Sequence, residues 1–248
     1  MALVVVVPAF ALGARKGAND DKARLAPYTP GRPVAPFLAT GGLNSFSQHN
    51  ALNGRITVTH RFAYDGDTAL VAWVDRPQSG GYARVVERVN WHANSEVYYA
   101  AAFLLPRGYK SRLQGGNDIM RWDNFGRFGR GGDYGGIELW RDGHARLITG
   151  HYLNDPRRVL VGPFDVPEGR WFWLEVRERF STRRGEALSE VRVDGRLVGR
   201  SREPNVFGRR IDRVRWGEVA VQAGRQRLPL HLYLDRVSIA TRSLPPLR

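Results

Sequence analysis

The sequence predicts an all-β protein built as a sandwich of two antiparallel sheets. Short apolar runs alternate with polar residues along most of the chain, and glycines and prolines separate these runs. Asp-Gly pairs at 65–66, 142–143 and 194–195 lie between such runs, where they suit hairpin turns because they readily adopt positive φ angles. No stretch has an amphipathic helical period of useful length. Strands of this number and spacing favour a jelly-roll sandwich.

Ten runs are predicted as strands. They are Arg55–Phe62, Thr68–Val74, Tyr82–Trp91, Glu96–Leu105, Gly136–Arg141, Ala145–Tyr152, Trp171–Phe180, Ser189–Val193, Arg213–Gln222 and Leu230–Ala240. The glycine-rich stretch Gly126–Gly136 is interpreted as a mobile loop, a lid over a binding groove, because it neither follows a clear strand nor opens a helix.

The N-terminal segment predicts export. Residues 1–14 contain an apolar run too short to span a bilayer, and Ala9, Phe10 and Ala11 form a small-x-small cleavage site. No charged region precedes the run, so it fits the end of a longer signal; a buried first strand at Leu3–Val7 is the alternative. Residues 15–36 read as a linker, 37–242 as one β-sandwich domain and 243–248 as a tail. We therefore expect a secreted or periplasmic monomer without a membrane span after signal removal.

Charge points to an anionic partner. The 248 residues carry a formal net charge of +14, and nearly all of the positive charge is arginine. Arginine suits the planar, bidentate recognition of carboxylates, although a coding bias produces the same excess. The absence of cysteine excludes disulfides, thiolate metal sites and a cysteine nucleophile.

The strand that begins at Trp171 has two different faces. Phe172, Leu174, Val176 and Phe180 fall on one face, which we expect to be buried, whereas Trp171, Trp173, Glu175 and Arg177 fall on the other. Two tryptophans followed by a Glu/Arg row fit a platform for a sugar chain. The alternative is that the tryptophans lie beneath a loop or a second layer.

A second set of residues fits the recognition and deprotonation of a uronate. Arg84 and Arg88 share one strand face, and Arg121, Asp123 and Asn124 follow downstream. Arginine and amide donors neutralise a uronate carboxylate and so acidify its C5 proton, which His151 or Tyr152 then removes. In this hypothesis Arg84, Arg88 and Asn124 hold the carboxylate, and Arg121 and Asp123 are further substrate contacts. The alternative is that these arginines pair with nearby acids on a solvated face.

The sequence lacks the motifs of several other enzyme classes. The chain has no Walker loop, HExxH or G-x-S-x-G sequence, and its six histidines do not follow a metal-site spacing. The paired acids that glycoside hydrolysis requires are not evident, since Glu138 and Glu175 stand alone.

The order of segments resembles the concanavalin A-like sandwich proteins of the heparin-lyase-like and alginate-lyase-like polysaccharide lyase type. The similar segments are RITVTHRFAYDGDTALVAWV, YARVVERVNWHANSEVYYAAAFLLP, GGIELWRDGHARL, GPFDVPEGRWFWLEVRERFS, VRVDGRLVG and LHLYLDRVSIA. The resemblance implies a jelly-roll fold and β-elimination of an acidic polysaccharide. Many such relatives bind structural calcium. Asp235 matches their last-strand ligand, but the entry segment lacks an acidic partner, so a structural calcium ion at Asp235 stays an alternative. No cofactor is required for the reaction.

One departure affects the active site. The related alginate lyases carry an Arg-x-Glu-x-Arg row on one strand face, whereas Glu87 here falls on the face opposite Arg84 and Arg88. Their Gln-x-His and Tyr-x-Lys strands also lack a clean counterpart.

The resulting hypothesis is an exported lyase that cleaves a uronate-containing polysaccharide. The first alternative is a non-catalytic carbohydrate-binding or cell-surface module. Nucleic-acid binding through the arginine excess is a further alternative, which the export segment and the absence of a known nucleic-acid module disfavour.

Overall fold

The computed structural model describes residues 37–39, 43, 46–75, 81–124, 132–151, 155–207, 210–221 and 229–243. The predicted signal segment and linker, and the tail beyond Ser243, lie outside these residues. Within the described part of the chain, no helix has the length and apolar character needed to cross a membrane.

The described residues form fifteen strands. They are β1 (Phe37–Ala39), β2 (Gln48–Leu52), β3 (Arg55–Thr59), β4 (Ala69–Val74), β5 (Gly81–His92), β6 (Glu96–Leu104), β7 (Asn117–Asp123), β8 (Asp133–Leu139), β9 (Ala145–His151), β10 (Asp155–Phe164), β11 (Trp171–Arg179), β12 (Leu188–Val193), β13 (Arg196–Ser201), β14 (Arg210–Val221) and β15 (Leu230–Ala240). A short 3-10 helix covers Lys110–Arg112.

The strands form two antiparallel sheets. The eight-stranded sheet has the order β13-β12-β11-β6-β15-β4-β3, with β1 also paired to β15. The seven-stranded sheet has the order β10-β9-β8-β7-β14-β5-β2. Consecutive strands pair as antiparallel neighbours from β7 to β10 and from β11 to β13. Other neighbours, such as β5 with β14 and β6 with β15, are distant in sequence, as expected of a sandwich in which the chain passes between layers. The predicted fold class is confirmed.

The ten predicted strands are all present, and β1, β2, β7, β10 and β13 are additional. The interpretation of the glycine-rich stretch as a loop is wrong for residues 133–136, which belong to β8; residues 125–131 of that stretch lie outside the described residues. Glycine is needed in β8 because a Cβ at Gly135 would lie 2.5 Å from the indole nitrogen of Trp122. The glycines therefore permit close packing of this strand.

Large side chains from both sheets fill the space between them. Tyr99 of the eight-stranded sheet stacks on Trp122 of the seven-stranded sheet with ring centroids 5.0 Å apart, and both are fully buried. Phe172, Leu174 and Val176 belong to the same core, which confirms the predicted buried face of β11. Burial of these rings supplies much of the force that holds the two sheets together.

A buried polar link also joins the sheets. Glu178 and Ser189 project into the interior from β11 and β12, and the Glu178 carboxylate accepts hydrogen bonds from Ser189 Oγ (2.7 Å) and Asn205 Nδ2. The backbone oxygen of Asn205 accepts a hydrogen bond from Thr149 Oγ1 of the other sheet at 3.0 Å. Asn205 thus connects both layers to a fully buried carboxyl group.

Candidate functional site: the arginine face

The outer face of the seven-stranded sheet carries a group of arginines near a tyrosine. Val85, Trp122, Val214 and Trp216 point into the core. Because successive side chains of a strand alternate between faces, the neighbours of these residues point outward. We call this outward surface the arginine face and define it by Arg88, Arg121, Arg213, Arg215, Asp123 and Tyr134.

Strand register places these residues in two rows across the sheet. The first row contains Arg88, Arg213, Asp123, Tyr134 and Gly150, each directly opposite the next on β5, β14, β7, β8 and β9. The second row contains Val86, Arg215, Arg121, Gly136 and Ile148 on the same strands. Since neighbouring strands lie about 4.8 Å apart, the polar side chains of the first row, from Arg88 to Tyr134, span only three strand spacings.

Asp123 organises the arginines. Its carboxylate is fully buried and contacts Arg213 Nε and Arg215 Nη2, with Arg121 Nε 3.7 Å away. One carboxylate is therefore shared by three guanidinium groups, of which Arg121 also pairs with Asp118. With Arg88 beside them, the four arginines outnumber these two acids, and the region keeps an excess of positive charge. Arg215 is almost buried, whereas the Arg213 side chain is 26% exposed and so faces solvent in part.

The buried position of Asp123 predicts a structural effect of its removal. Asp123→Ala would leave neighbouring guanidinium groups without their shared counter-charge, and we expect a loss of about 3 kcal/mol in the free energy of unfolding. Urea denaturation measures this loss. Asp142→Ala is the control, because it removes an exposed partner of Arg146 and should cost less than about 1 kcal/mol. Equal stability losses in the two variants would contradict the prediction.

Tyr134 lies across the neighbouring strand. A Cβ at Gly150 would be 2.5 Å from Tyr134 Oη and 2.6 Å from Cζ, so the phenol ring rests where a side chain at 150 would stand. The guanidinium of Arg121 lies 4.8 Å from the ring centroid, and Arg121 Nη1 donates to Asp118 Oδ2 at 2.5 Å. The tyrosine hydroxyl is therefore held on the arginine face beside positive charge.

Gly150 offers a test of this placement. Gly150→Ala must displace the Tyr134 ring, and we expect a reaction that uses the Tyr134 hydroxyl group to slow by about tenfold or more, because a displacement of about 1 Å at a reacting group has large effects on rate. Steady-state turnover measures the change. The neighbouring substitution Ile148→Ala, on the same strand face, leaves the space occupied by Tyr134 unaltered and should affect turnover less.

The β5 residues named from the sequence lie on this face. Arg88 is exposed, and none of the described residues forms an ion pair with its guanidinium. Arg84 lies over the ring of Tyr82, 4.3 Å from the centroid. Glu87 is on the opposite face, as predicted, and accepts hydrogen bonds from the Ser47 amide (2.8 Å) and hydroxyl (2.6 Å). Arg88 is therefore well placed to bind an external carboxylate.

The other predicted catalytic residues are not brought together in the same way. His151 ends β9, and alternation from Gly150 places it on the side of the sheet that faces the other layer, away from Arg88. Asn124 follows β7 directly and is partly buried. Tyr152 lies outside the described residues. Asp123 does lie on the arginine face, but its burial excludes the predicted direct contact with substrate.

The predicted sugar platform on β11 is covered. Trp173 is only 4% exposed and stacks against Tyr64, with ring centroids 6.3 Å apart, while Trp171 meets the same tyrosine edge-on at 5.9 Å. The alternative interpretation, that these rings lie beneath a loop, describes Trp173 correctly. Its ring is buried because the segment that contains Tyr64 folds over the outer face of the eight-stranded sheet.

The Glu/Arg row of β11 is occupied by ion pairs on that same outer face. Arg177 donates to Glu96 Oε1 (2.6 Å from Nη2) and to Glu190 Oε2 (3.2 Å from Nη1). Glu175 is buried and accepts hydrogen bonds from Ser243 Oγ. Both predicted substrate contacts therefore stabilise the sheet surface instead of presenting an open binding site.

Asp235 anchors a loop. Its Oδ2 accepts hydrogen bonds from the backbone amides of Tyr64 (2.9 Å) and Asp65 (3.1 Å), and its Oδ1 accepts one from the Arg236 amide (2.7 Å). Burial raises the pKa of this carboxyl group, and the amide hydrogen bonds oppose that change. Among the described residues, no three histidine or acidic side chains converge as metal ligands. Amide donors that point at both oxygens do not fit the predicted calcium ligand.

The sequence hypothesis missed Tyr134, Arg213 and Arg215. Arg213 and Arg215 are two residues apart in a run predicted as a strand, so their common face was available from alternation. Tyr134 lay within the stretch interpreted as a loop.

Comparisons with known proteins identify the fold. No protein-family description matches the chain, and no curated protein does either. Among solved structures, the endo-β-1,4-glucuronan lyase of the fungus Trichoderma reesei is similar with a TM-score of 0.69 and 15% identity, over 85% of this chain and 96% of that one. A variant of alginate lyase Aly36B bound to alginate trisaccharide has a TM-score of 0.55 and 10% identity over 86% and 99%. Alginate lyase vAL-1 from Chlorella virus has a TM-score of 0.55 and 14% identity over 81% and 98%. The chain therefore has the sandwich fold of concanavalin A-like polysaccharide lyases.

Proposed function

We propose that this protein is a polysaccharide lyase that cleaves uronate-containing chains by β-elimination on the arginine face. The observation that carries the proposal is the single row in which Arg88, Arg213 and Tyr134 share one sheet face around buried Asp123. The structural similarity to glucuronan and alginate lyases supports the same class of substrate. The proposal includes export, as the N-terminal segment predicts.

The chemistry requires two functions from this face. Arg88, with Arg213 beside it, binds the uronate carboxylate and stabilises the negative charge that develops on it when the C5 proton leaves. Tyr134 Oη takes up that proton; the C5–H electrons form the C4–C5 double bond, and the C4–O bond breaks. Tyr134 then donates this proton to the oxygen that leaves C4. This assigns proton transfer to Tyr134 in place of His151, which faces the other layer.

An absorbance assay tests the activity. Elimination leaves an unsaturated uronate that absorbs at about 235 nm, and we expect this signal with polyglucuronate or alginate but not with a neutral glucan. Arg88→Ala should reduce kcat/KM by about tenfold to a hundredfold, because it removes a charge-assisted contact to the carboxylate. Arg196→Ala, an exposed arginine on β13, is the matched control. The absence of product from every polyuronate would contradict the proposal.

A non-catalytic carbohydrate-binding module is the second candidate. It is favoured by the ion pairs that engage Arg121 and Arg213 with Asp118 and Asp123, since arginines neutralised by internal carboxylates have less charge left to stabilise a developing anion. This candidate predicts saturable binding of polyuronates without any increase in absorbance. Binding with no product would therefore select it over the lyase.

A further inference from the structure

A row of aromatic side chains crosses the outer face of the other, eight-stranded sheet. Trp73 stacks on His231 at 4.5 Å, His231 meets Tyr233 edge-on at 5.7 Å, and Tyr233 meets Phe62 at 5.1 Å. We call these four side chains the aromatic row. Register places Trp73 directly opposite His231, so adjacent strands build one continuous surface.

An arginine lies at each end of the aromatic row. The Arg55 guanidinium is 4.9 Å from the Trp73 ring centroid, and the Arg61 guanidinium is 5.3 Å from that of Phe62. Both arginines are exposed, and neither forms an ion pair with a carboxylate of the described residues. The ends of the row therefore carry positive charge with no internal counter-charge, in contrast to Arg177 on the same sheet, which pairs with Glu96 and Glu190.

The surface between the two arginines is partly apolar. Phe62 is 39% exposed and extends the contacts of Trp73, His231 and Tyr233, so the exposed apolar area is continuous with the row. Five residues lie between Arg55 and Arg61, so the Cα atoms of the two arginines are at most about 22 Å apart. A ligand that suits this surface must be extended, carry negative charges and present apolar C–H groups between them. An anionic polysaccharide has all three properties, because its rings expose C–H groups and its carboxylates pair with guanidinium.

We propose that the aromatic row, with Arg55 and Arg61, is a second binding site for an anionic polysaccharide. The site goes beyond the proposed function and shares with it only the class of ligand. It lies on the opposite sheet from the arginine face, so one bound chain leaves the other surface accessible. Its effect is to keep the protein on a polymeric substrate while a separate segment occupies the arginine face.

The test compares two double variants. Arg61→Gln with Phe62→Ser removes one arginine and the most exposed ring of the site. Arg196→Gln with Leu197→Ser removes an exposed arginine and an equally exposed apolar residue from β13, where Leu197 is also 39% exposed. Affinity electrophoresis in gels that contain polyglucuronate or alginate measures binding, and circular dichroism verifies folding. A third variant, Arg55→Gln, examines the other end of the row without altering an apolar residue.

We expect the Arg61/Phe62 variant to bind the polymer about tenfold more weakly, which corresponds to about 1.4 kcal/mol, with the Arg196/Leu197 variant unchanged. Turnover of short oligouronates at the arginine face should stay the same. Unchanged polymer binding, or equal loss in both double variants, would overturn the inference, as would an equal loss of affinity for duplex DNA. If wild-type protein yields no unsaturated product yet the Arg61/Phe62 variant loses polymer binding, the second site stands and the lyase proposal fails.

Discussion

Replacing Tyr134 with phenylalanine is expected to lower kcat for β-elimination by about 10²–10⁴-fold, the range typical of a lost proton-transfer group. Phenylalanine keeps the aromatic ring that lies over Gly150 and beneath the Arg121 guanidinium. The packing of the arginine face should therefore persist, and only the hydroxyl group is removed. The rate of absorbance increase at about 235 nm with saturating polyuronate measures the effect.

If Tyr134 has a chemical role, Tyr134→Phe lowers kcat but leaves polyuronate affinity nearly unchanged; a structural role would alter both quantities. Polyuronate affinity, measured by calorimetric titration, should change by less than about threefold, because Arg88 and Arg213 still hold the carboxylate. Tyr98→Phe is the matched control, since Tyr98 is a partly buried tyrosine on the outer face of the other sheet. A Tyr134→Phe enzyme that retains nearly full kcat would exclude Tyr134 as the proton carrier.

The second large effect concerns Glu178. Burial raises the pKa of this carboxyl group from 4.5 to about 8, while hydrogen bonds from Ser189 and Asn205 act in the opposite direction. The folded protein thus binds the Glu178 proton more tightly than the unfolded chain does. The resulting stabilisation is fully present below about pH 4.5 and is lost progressively as the pH rises to about 8, by roughly 1.4 kcal/mol for each pH unit across that window.

Glu178→Gln should remove this pH dependence. Glutamine keeps a side-chain oxygen to accept the hydrogen bonds of Ser189 and Asn205 but carries no ionisable proton. We expect the variant to be more stable than wild type at pH 8 and similar to it at pH 4.5, as measured by urea midpoints between pH 4 and 9. Glu203→Gln, at an exposed glutamate paired with Arg184, is the control. Parallel stability curves for wild type and Glu178→Gln would refute the prediction.

Most strands were predictable, and the omissions have physical causes. β7 contains two successive core residues, Ile119 and Met120, because a register shift interrupts its alternation. β10 has several register shifts and contains two prolines, which weaken any strand pattern. β13 has no fully buried residue and lacks an apolar face. The alternation of apolar and polar residues predicts a strand only where one face is regularly buried. These three strands lack that pattern, so the sequence did not predict them.

Within a single strand, the sequence determined which side chains share a face. Arg84 and Arg88, the core face of β11 and the opposed Glu87 all follow from the two-residue period of a strand. Register between strands distant in sequence depends on tertiary packing, so only the folded structure aligned Arg88 with Arg213, Asp123 and Tyr134. It also decided which outward surface is covered. Trp173 and Arg88 both point away from the core, but Tyr64 buries the tryptophan while the arginine remains exposed. Trp173 is covered because Asp235 holds the loop that contains Tyr64 over it. The alternation of residues along a strand shows which side chains point outward but not which of them a distant loop covers.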